Sequence, residues 1–188
     1  MYGNRYCKGY AALTLAVGIT MFTAGLAWSE DATAVRGALA QRFAISTMDV
    51  RDPADVGFVV KPGTTLAVQA DWIPAKPVRV IQANTKSPRF HVADYARVDV
   101  TADGQLRAEP AEMTLPRGTR LAVLKLKVEG DRVRVFTHSV DPIGRPDGKA
   151  IRGCTEFVFR FDPADIETAR LSTIEDRIAR WLPMAAAW

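Results

Sequence analysis

Cysteine is scarce in this chain, with Cys7 and Cys154 the only two among 188 residues. Cys7 precedes the longest apolar run, so a domain folded beyond it holds one thiol and builds no internal disulfide framework. Histidine is as rare. His91 and His138 lie far apart, and no Cys or His pair shows zinc, haem or iron–sulfur spacing, so no metal and no cofactor is expected. No glycine-rich loop is present to cradle a phosphate, because Gly63 and Gly118 each stand alone in their turns. Asp94, Asp99, Asp103 and Asp141 are scattered among turn formers and strand edges, the pattern of solvated acids rather than of a paired acid and base. Nor is there a block of one charge. The formal net charge of +4 falls to +2 without residues 1–27, since 25 basic residues less Arg5 and Lys8 leave 23 against 21 acids. That balance excludes a nucleic-acid footprint. A hydrophobic content of 48% and a charged content of 24% are those of a folded chain, and the length suits one ordinary domain.

What is present first is an address. Residues 1–10 carry Arg5 and Lys8 and no acid, Ala11 to Phe22 are almost wholly apolar, and Gly25 and Ala27 supply the small residues of a cleavage site. Residues 1–29 therefore read as a signal peptide. The alternative is an uncleaved anchor through residues 11–28, which just reach a membrane-spanning length. Basic residues before the run and Glu30 and Asp31 after it place the remainder outside the cytoplasm in either case.

Residues 30–55 read as a helix and linker, with Val35, Leu39 and Phe43 on one stripe. Residues 56–162 alternate short apolar runs with turn formers: Pro62-Gly63, Asp103-Gly104, Arg117-Gly118 and Glu129-Gly130-Asp131. Phe157, Phe159 and Phe161 share one strand face, and Glu156, Arg160 and, by parity, an exposed Cys154 share the other. The expected fold is mainly β, a small antiparallel barrel or sandwich. An internal repeat supports it. Segments 63–80 and 118–135 align without a gap at 8 of 18 positions, each reading as one hairpin with a Gly-Thr-x-Leu-Ala-Val opening and a Val-Arg-Val return. Residues 163–188 form the last unit. Asp162-Pro163 caps a helix whose stripe of Leu171, Ile174, Ile178, Trp181 and Leu182 either packs on the β domain or docks a partner, and an apolar tail ends at Trp188.

The hairpin pattern, a glycine turn with Leu-x-Val and Val-x-Val strands, resembles the opening hairpin of bacterial SH3-like domains. The resemblance covers about 18 residues per copy. It implies a small barrel that binds peptides or wall polymers, with Trp72 and Tyr95 as the nearby aromatic candidates. A second stretch, His138 followed by Gly153-Cys154 across a Pro- and Gly-containing loop, resembles the catalytic segment of L,D-transpeptidases. That resemblance implies Cys154 as nucleophile and His138 as its base, although Ser139, Arg152 and Thr155-Glu156 depart from the family pattern. The leading expectation is a non-catalytic extracytoplasmic module, an accessory or scaffold subunit whose partners are other envelope proteins. The alternatives are a periplasmic peptide or wall-polymer binder and a cysteine acyltransferase.

Overall fold

The computed structural model of the chain describes residues 24–49, 58–78, 80–82, 90–92, 94–144, 148, 150–168 and 170–186. The signal or anchor run at 11–22, most of the expected linker and Trp188 lie outside the described residues. Among the described residues no helix is long and apolar enough to cross a membrane.

Helix α1 (Ala24–Arg42) passes through the boundary expected at residues 29 and 30. It is followed by β1 (Thr47–Asp49), β2 (Phe58–Lys61), β3 (Thr65–Ala67), β4 (Ile73–Pro77), β5 (Val80–Gln82), β6 (Phe90–Val92) and β7 (Ala96–Val100). Then come β8 (Leu106–Ala108), β9 (Met113–Leu115), β10 (Arg120–Glu129), β11 (Arg132–Ser139), β12 (Ile143–Gly144), β13 (Ala150–Ile151) and β14 (Gly153–Arg160). Two helices, α2 (Pro163–Glu167) and α3 (Leu171–Trp181), close the order. The main sheet has the path β3-β10-β11-β14-β4-β9, with β7 on β14 and β8 on β7. The fold is mainly antiparallel β as expected, and the sheet curls into a half-barrel, with β7 parallel to β14 in the otherwise antiparallel arrangement. Three small two-stranded pairs, β1-β2, β5-β6 and β12-β13, stand beside it.

Strand alternation decides which face is core. Val98 and Val100 of β7, Val133 and Val135 of β11, and Phe157 and Phe159 of β14 are all buried and belong to one apolar cluster. The helices complete that cluster. Val35 and Leu39 of α1, with Phe43 beyond its end, Ile166 of α2, and Ile174 and Ile178 of α3 are buried in it, as a wide apolar stripe on a helix requires. At roughly 1.5–3 kcal/mol for each large side chain fully removed from water, this cluster is the main source of stability. The stripe on α3 is thus spent on the chain's own core. Ile174 and Ile178 are fully buried and leave nothing for a partner, and Leu171 and Trp181 pack at the cluster's margin.

The C-terminal helix expected as one piece is two. Asp162 caps α2 as its sequence suggests, its carboxylate accepting from the Ala164 N–H at 3.0 Å. The helix ends at Thr168, whose N–H and hydroxyl both turn back to the Ala164 carbonyl at 3.0 and 2.7 Å, and the Arg170 N–H then returns to the Asp165 carbonyl at 3.0 Å. The break re-aims the chain so that Ile166 and the α3 stripe both reach the core.

The repeat is realised unequally. The second copy is a hairpin, β10 on β11, turning at Gly130 with φ 51°. The first copy is not. Strands β3 and β4 do not pair with each other; β3 pairs with β10, and β4 pairs with β14 and β9. Pro74 and Pro77 stand in β4 without an N–H to give, and Trp72 turns the chain away with φ 63°. The equivalent residues Leu66 and Leu121 instead lie opposite each other across β3-β10, so the first strands of the two copies meet about a local two-fold. The paired glycines also differ in their reason. Gly118 has φ 84°, which favours glycine, whereas Gly63 lacks room: a Cβ there would enter the Ala44 carbonyl. The tail covers the other edge of β3, with Ala67 N–H donating to the Pro183 carbonyl and Ala185 N–H to the Thr65 carbonyl, both at 2.9 Å.

Candidate functional site

The expected catalytic pair comes together, but not as an exposed site. β11 and β14 run antiparallel with His138 opposite Cys154, so both side chains project from the same face. Both are fully buried, which corrects the exposure that strand parity suggested for Cys154. The reason is its position. β14 is an interior strand, Cys154 also faces Lys76 of β4 in register, and Tyr95 lies near enough to feel a charge on its sulfur. Burial pushes the Cys154 thiol up to about 12. His138 Nδ1 lies 2.7 Å from the Ser139 carbonyl, which can only accept, so that nitrogen carries the proton. Nε2 is buried with no hydrogen-bond partner among the described residues, the Cys154 thiol included. Burial lowers the His138 pKa to about 4, against the pull of the Ser139 carbonyl and with help from the Arg152 charge. At neutral pH this arrangement pairs a neutral imidazole with a protonated thiol, not with the thiolate that nucleophilic attack requires.

The two aromatic candidates part company. Trp72 is 78% exposed at the tip between β3 and β4. Tyr95 sits edge-on to Phe136 with centroids 5.2 Å apart, and burial pushes its phenol up to about 12, the charges of Cys154 and Glu156 adding to it.

Tyr95 marks one end of a groove that the sequence did not announce. β14 bonds β4 through Gly153 and Cys154 and then β7 through Thr155 to Phe159, so β4 and β7 part along it. Beside that fork, on the face opposite the core, opens a cavity of about 710 Å³ whose lining includes Lys76, Tyr95, Arg97, Asp99, Arg107 and Arg160. Its far wall is Ala108 to Ala111, the segment leaving β8. The polar members follow from alternation: in Ala96-Arg97-Val98-Asp99-Val100 the valines enter the core, which sends Arg97 and Asp99 outward. Arg97 donates twice to Asp99 at 2.8 Å, and Arg160 stands 3.6 Å from the same carboxylate. The Arg97 guanidinium holds the Asp99 acid below the usual range. Lys76 meets Asp94 at 2.6 Å. Arg134 extends this charged face beyond the groove, bonding Glu156 at 2.5 Å and Glu129 at 3.2 Å.

Sequence reasoning missed Arg97, Arg107 and Arg160 as a group. Their alternation was visible, but their meeting depends on β7 lying parallel to β14, which no local pattern signals. Among the described residues there is no group of three or more Cys, His, Asp or Glu placed to hold a metal. No protein-family model, no curated protein and no solved structure matches the chain.

Proposed function

We propose that the chain is a non-catalytic extracytoplasmic module, an accessory or scaffold subunit that holds another envelope protein. The compartment rests on the basic start, the apolar run Ala11–Phe22 and the acids that follow it. The observation that carries the docking is Trp72. Its indole is 78% exposed, and its backbone sits at φ 63°, where a bulky residue is strained by about 1–3 kcal/mol. Among the described residues that indole takes no part in the core. The tip is nevertheless held, since Gln69 N–H donates to the Trp181 carbonyl at 3.1 Å, Arg117 pairs with Asp71 at 3.6 Å, and Ile73 is buried directly after it. An exposed tryptophan on a rigid tip has the character of an interface anchor.

The test is a photo-crosslinking residue placed at position 72 of the full chain in its native envelope, with position 45, also exposed at 45%, as control. A discrete adduct with one envelope protein at 72 and not at 45 is expected. No adduct at 72, the same adducts at both positions, or recovery of the chain from cytosol would overturn the reading. A second reading, binding of a peptide or wall polymer, is favoured by the groove beside Tyr95.

A further inference from the structure

We infer that the groove at the sheet fork binds an extended acidic peptide, with one carboxylate on Arg107 and a second, four residues away, on Lys76. The inference rests on the groove-binding reading and is independent of the Trp72 tip.

Three observations carry it. The groove is unbalanced, its lining holding four cations, Lys76, Arg97, Arg107 and Arg160, against the carboxylates of Asp99 and Glu109; Lys76 is also held by the exposed Asp94 at 2.6 Å, a contact that the incoming carboxylate displaces. The imbalance is localised. Arg107 lies opposite Asp99 in the β7-β8 register, yet that carboxylate is engaged by Arg97 and Arg160. Among the described residues Arg107 makes no ion pair; it acts on the exposed Asp103 only through space. A guanidinium in a concavity with its register partner already taken is an open fork for a carboxylate. Finally, the geometry sets a length. Lys76 sits by Tyr95 at the start of β7 and Arg107 sits opposite Asp99, four residues further along. At roughly 3.3 Å per residue the backbone positions that carry the two cations are about 13 Å apart along the strand direction, the span of positions i and i+4 on one face of an extended peptide. The cavity of about 710 Å³ accommodates such a segment. Tyr95 on one side and Ala108, Pro110 and Ala111 on the other give its short side chains an apolar wall.

The experiment is calorimetric titration of the full chain at low ionic strength with acetyl-Glu-Ala-Ala-Ala-Glu-amide. Its isomer with adjacent glutamates, its glutamine analogue and free glutarate serve as comparisons. The spaced-acid peptide is expected to bind tightest and the glutamine analogue not at all. Arg107→Gln, an exposed change that costs no internal ion pair, should weaken the spaced peptide about tenfold, equivalent to about 1.4 kcal/mol. Glu109→Gln, which removes a repelling carboxylate from the wall, should strengthen it. Absence of binding at millimolar peptide, or indifference to both substitutions, overturns the inference. Equal binding of the adjacent-acid isomer overturns the spacing, and glutarate binding as tightly as the peptide replaces the peptide with a free dicarboxylate. A crosslink at position 72 with no peptide binding defeats this inference alone.

Discussion

His138 makes the stability of this fold sensitive to mild acid. Its ring is fully buried, Nδ1 is committed to the Ser139 carbonyl, and Nε2 has no group among the described residues to receive a proton's charge. Burial places its folded pKa at about 4, against an ordinary 6.5 in the unfolded chain. The unfolded state therefore binds the extra proton first. Stability is complete above about pH 7, declines as pH falls through 6.5, and stops declining once pH is below the folded value. At 1.36 kcal/mol per pH unit, the loss is about 2 kcal/mol by pH 5 and about 3 kcal/mol by pH 4. Against a typical reserve of about 5–15 kcal/mol that is a large fraction.

The assay is urea unfolding followed by tryptophan fluorescence at pH 7, 5 and 4, on the natural chain and on His138→Gln. Glutamine keeps a donor for the Ser139 carbonyl and has no proton to gain. Acids such as Asp99, Glu129 and Asp131, each held below its usual range with help from a neighbouring arginine, also destabilise the fold on acidification, but they do so in both chains and cancel in the difference. Natural chain and variant should thus diverge by about 2 kcal/mol between pH 7 and 5. Parallel loss in the two would show that His138 reaches solvent or finds a proton acceptor, and the reasoning would fail.

Cys154 should resist Ellman's reagent at pH 7 until denaturant is added, because a fully buried thiol raised to about 12 offers no thiolate; rapid native labelling would revive the acyl-transfer reading. Gly153→Ala should cost about 1–3 kcal/mol in urea unfolding, since its Cβ would meet Ala75 Cβ at 2.9 Å and Leu115 Cδ2 at 3.1 Å, and a neutral result would mean that β4 and β9 yield easily. Ile178→Ala should cost about 2–5 kcal/mol as a cavity in the core, where a surface docking residue would cost almost nothing.

The elements with strong local signals were legible in the sequence. The α1 stripe at Val35, Leu39 and Phe43, the Asp162 cap and the turn at Gly130 appear as their residues suggest, whereas β14, expected to be half-buried, is buried on both faces from Gly153 to Phe159. Parity failed at Cys154 because it reports which face a residue is on and says nothing about what covers that face. Adjacent strands hide Cys154, while Arg160 on the same face of β14 reaches the groove. The single C-terminal helix failed for a different reason: the Asp162 cap and the stripe beginning at Leu171 are both helical signals, and neither marks the break near Thr168, where the Arg170 N–H returns to the Asp165 carbonyl. The groove was illegible because Arg97, Arg107 and Arg160 come from three strands joined in an order that runs against the sequence.

The repeat shows how far a shared pattern determines shared structure. Both copies open alike, and about the Leu66-Leu121 pair their first strands hydrogen-bond to each other, leaving neither copy as a free-standing hairpin. A lone hairpin is marginal in water, so pairing across copies is the more stable use of two short strands. Past Val68 and Val123 the copies diverge in proline content. The second continues as Leu-Lys-Leu-Lys-Val-Glu into a ten-residue strand, whereas the first meets Trp72, Pro74 and Pro77, which deny β4 the donors for a full ladder. Those prolines send β4 to the amino-terminal end of β14 and leave the rest of that strand for β7. The fork between them, and with it the cationic groove, follows from the place where the two similar segments cease to match.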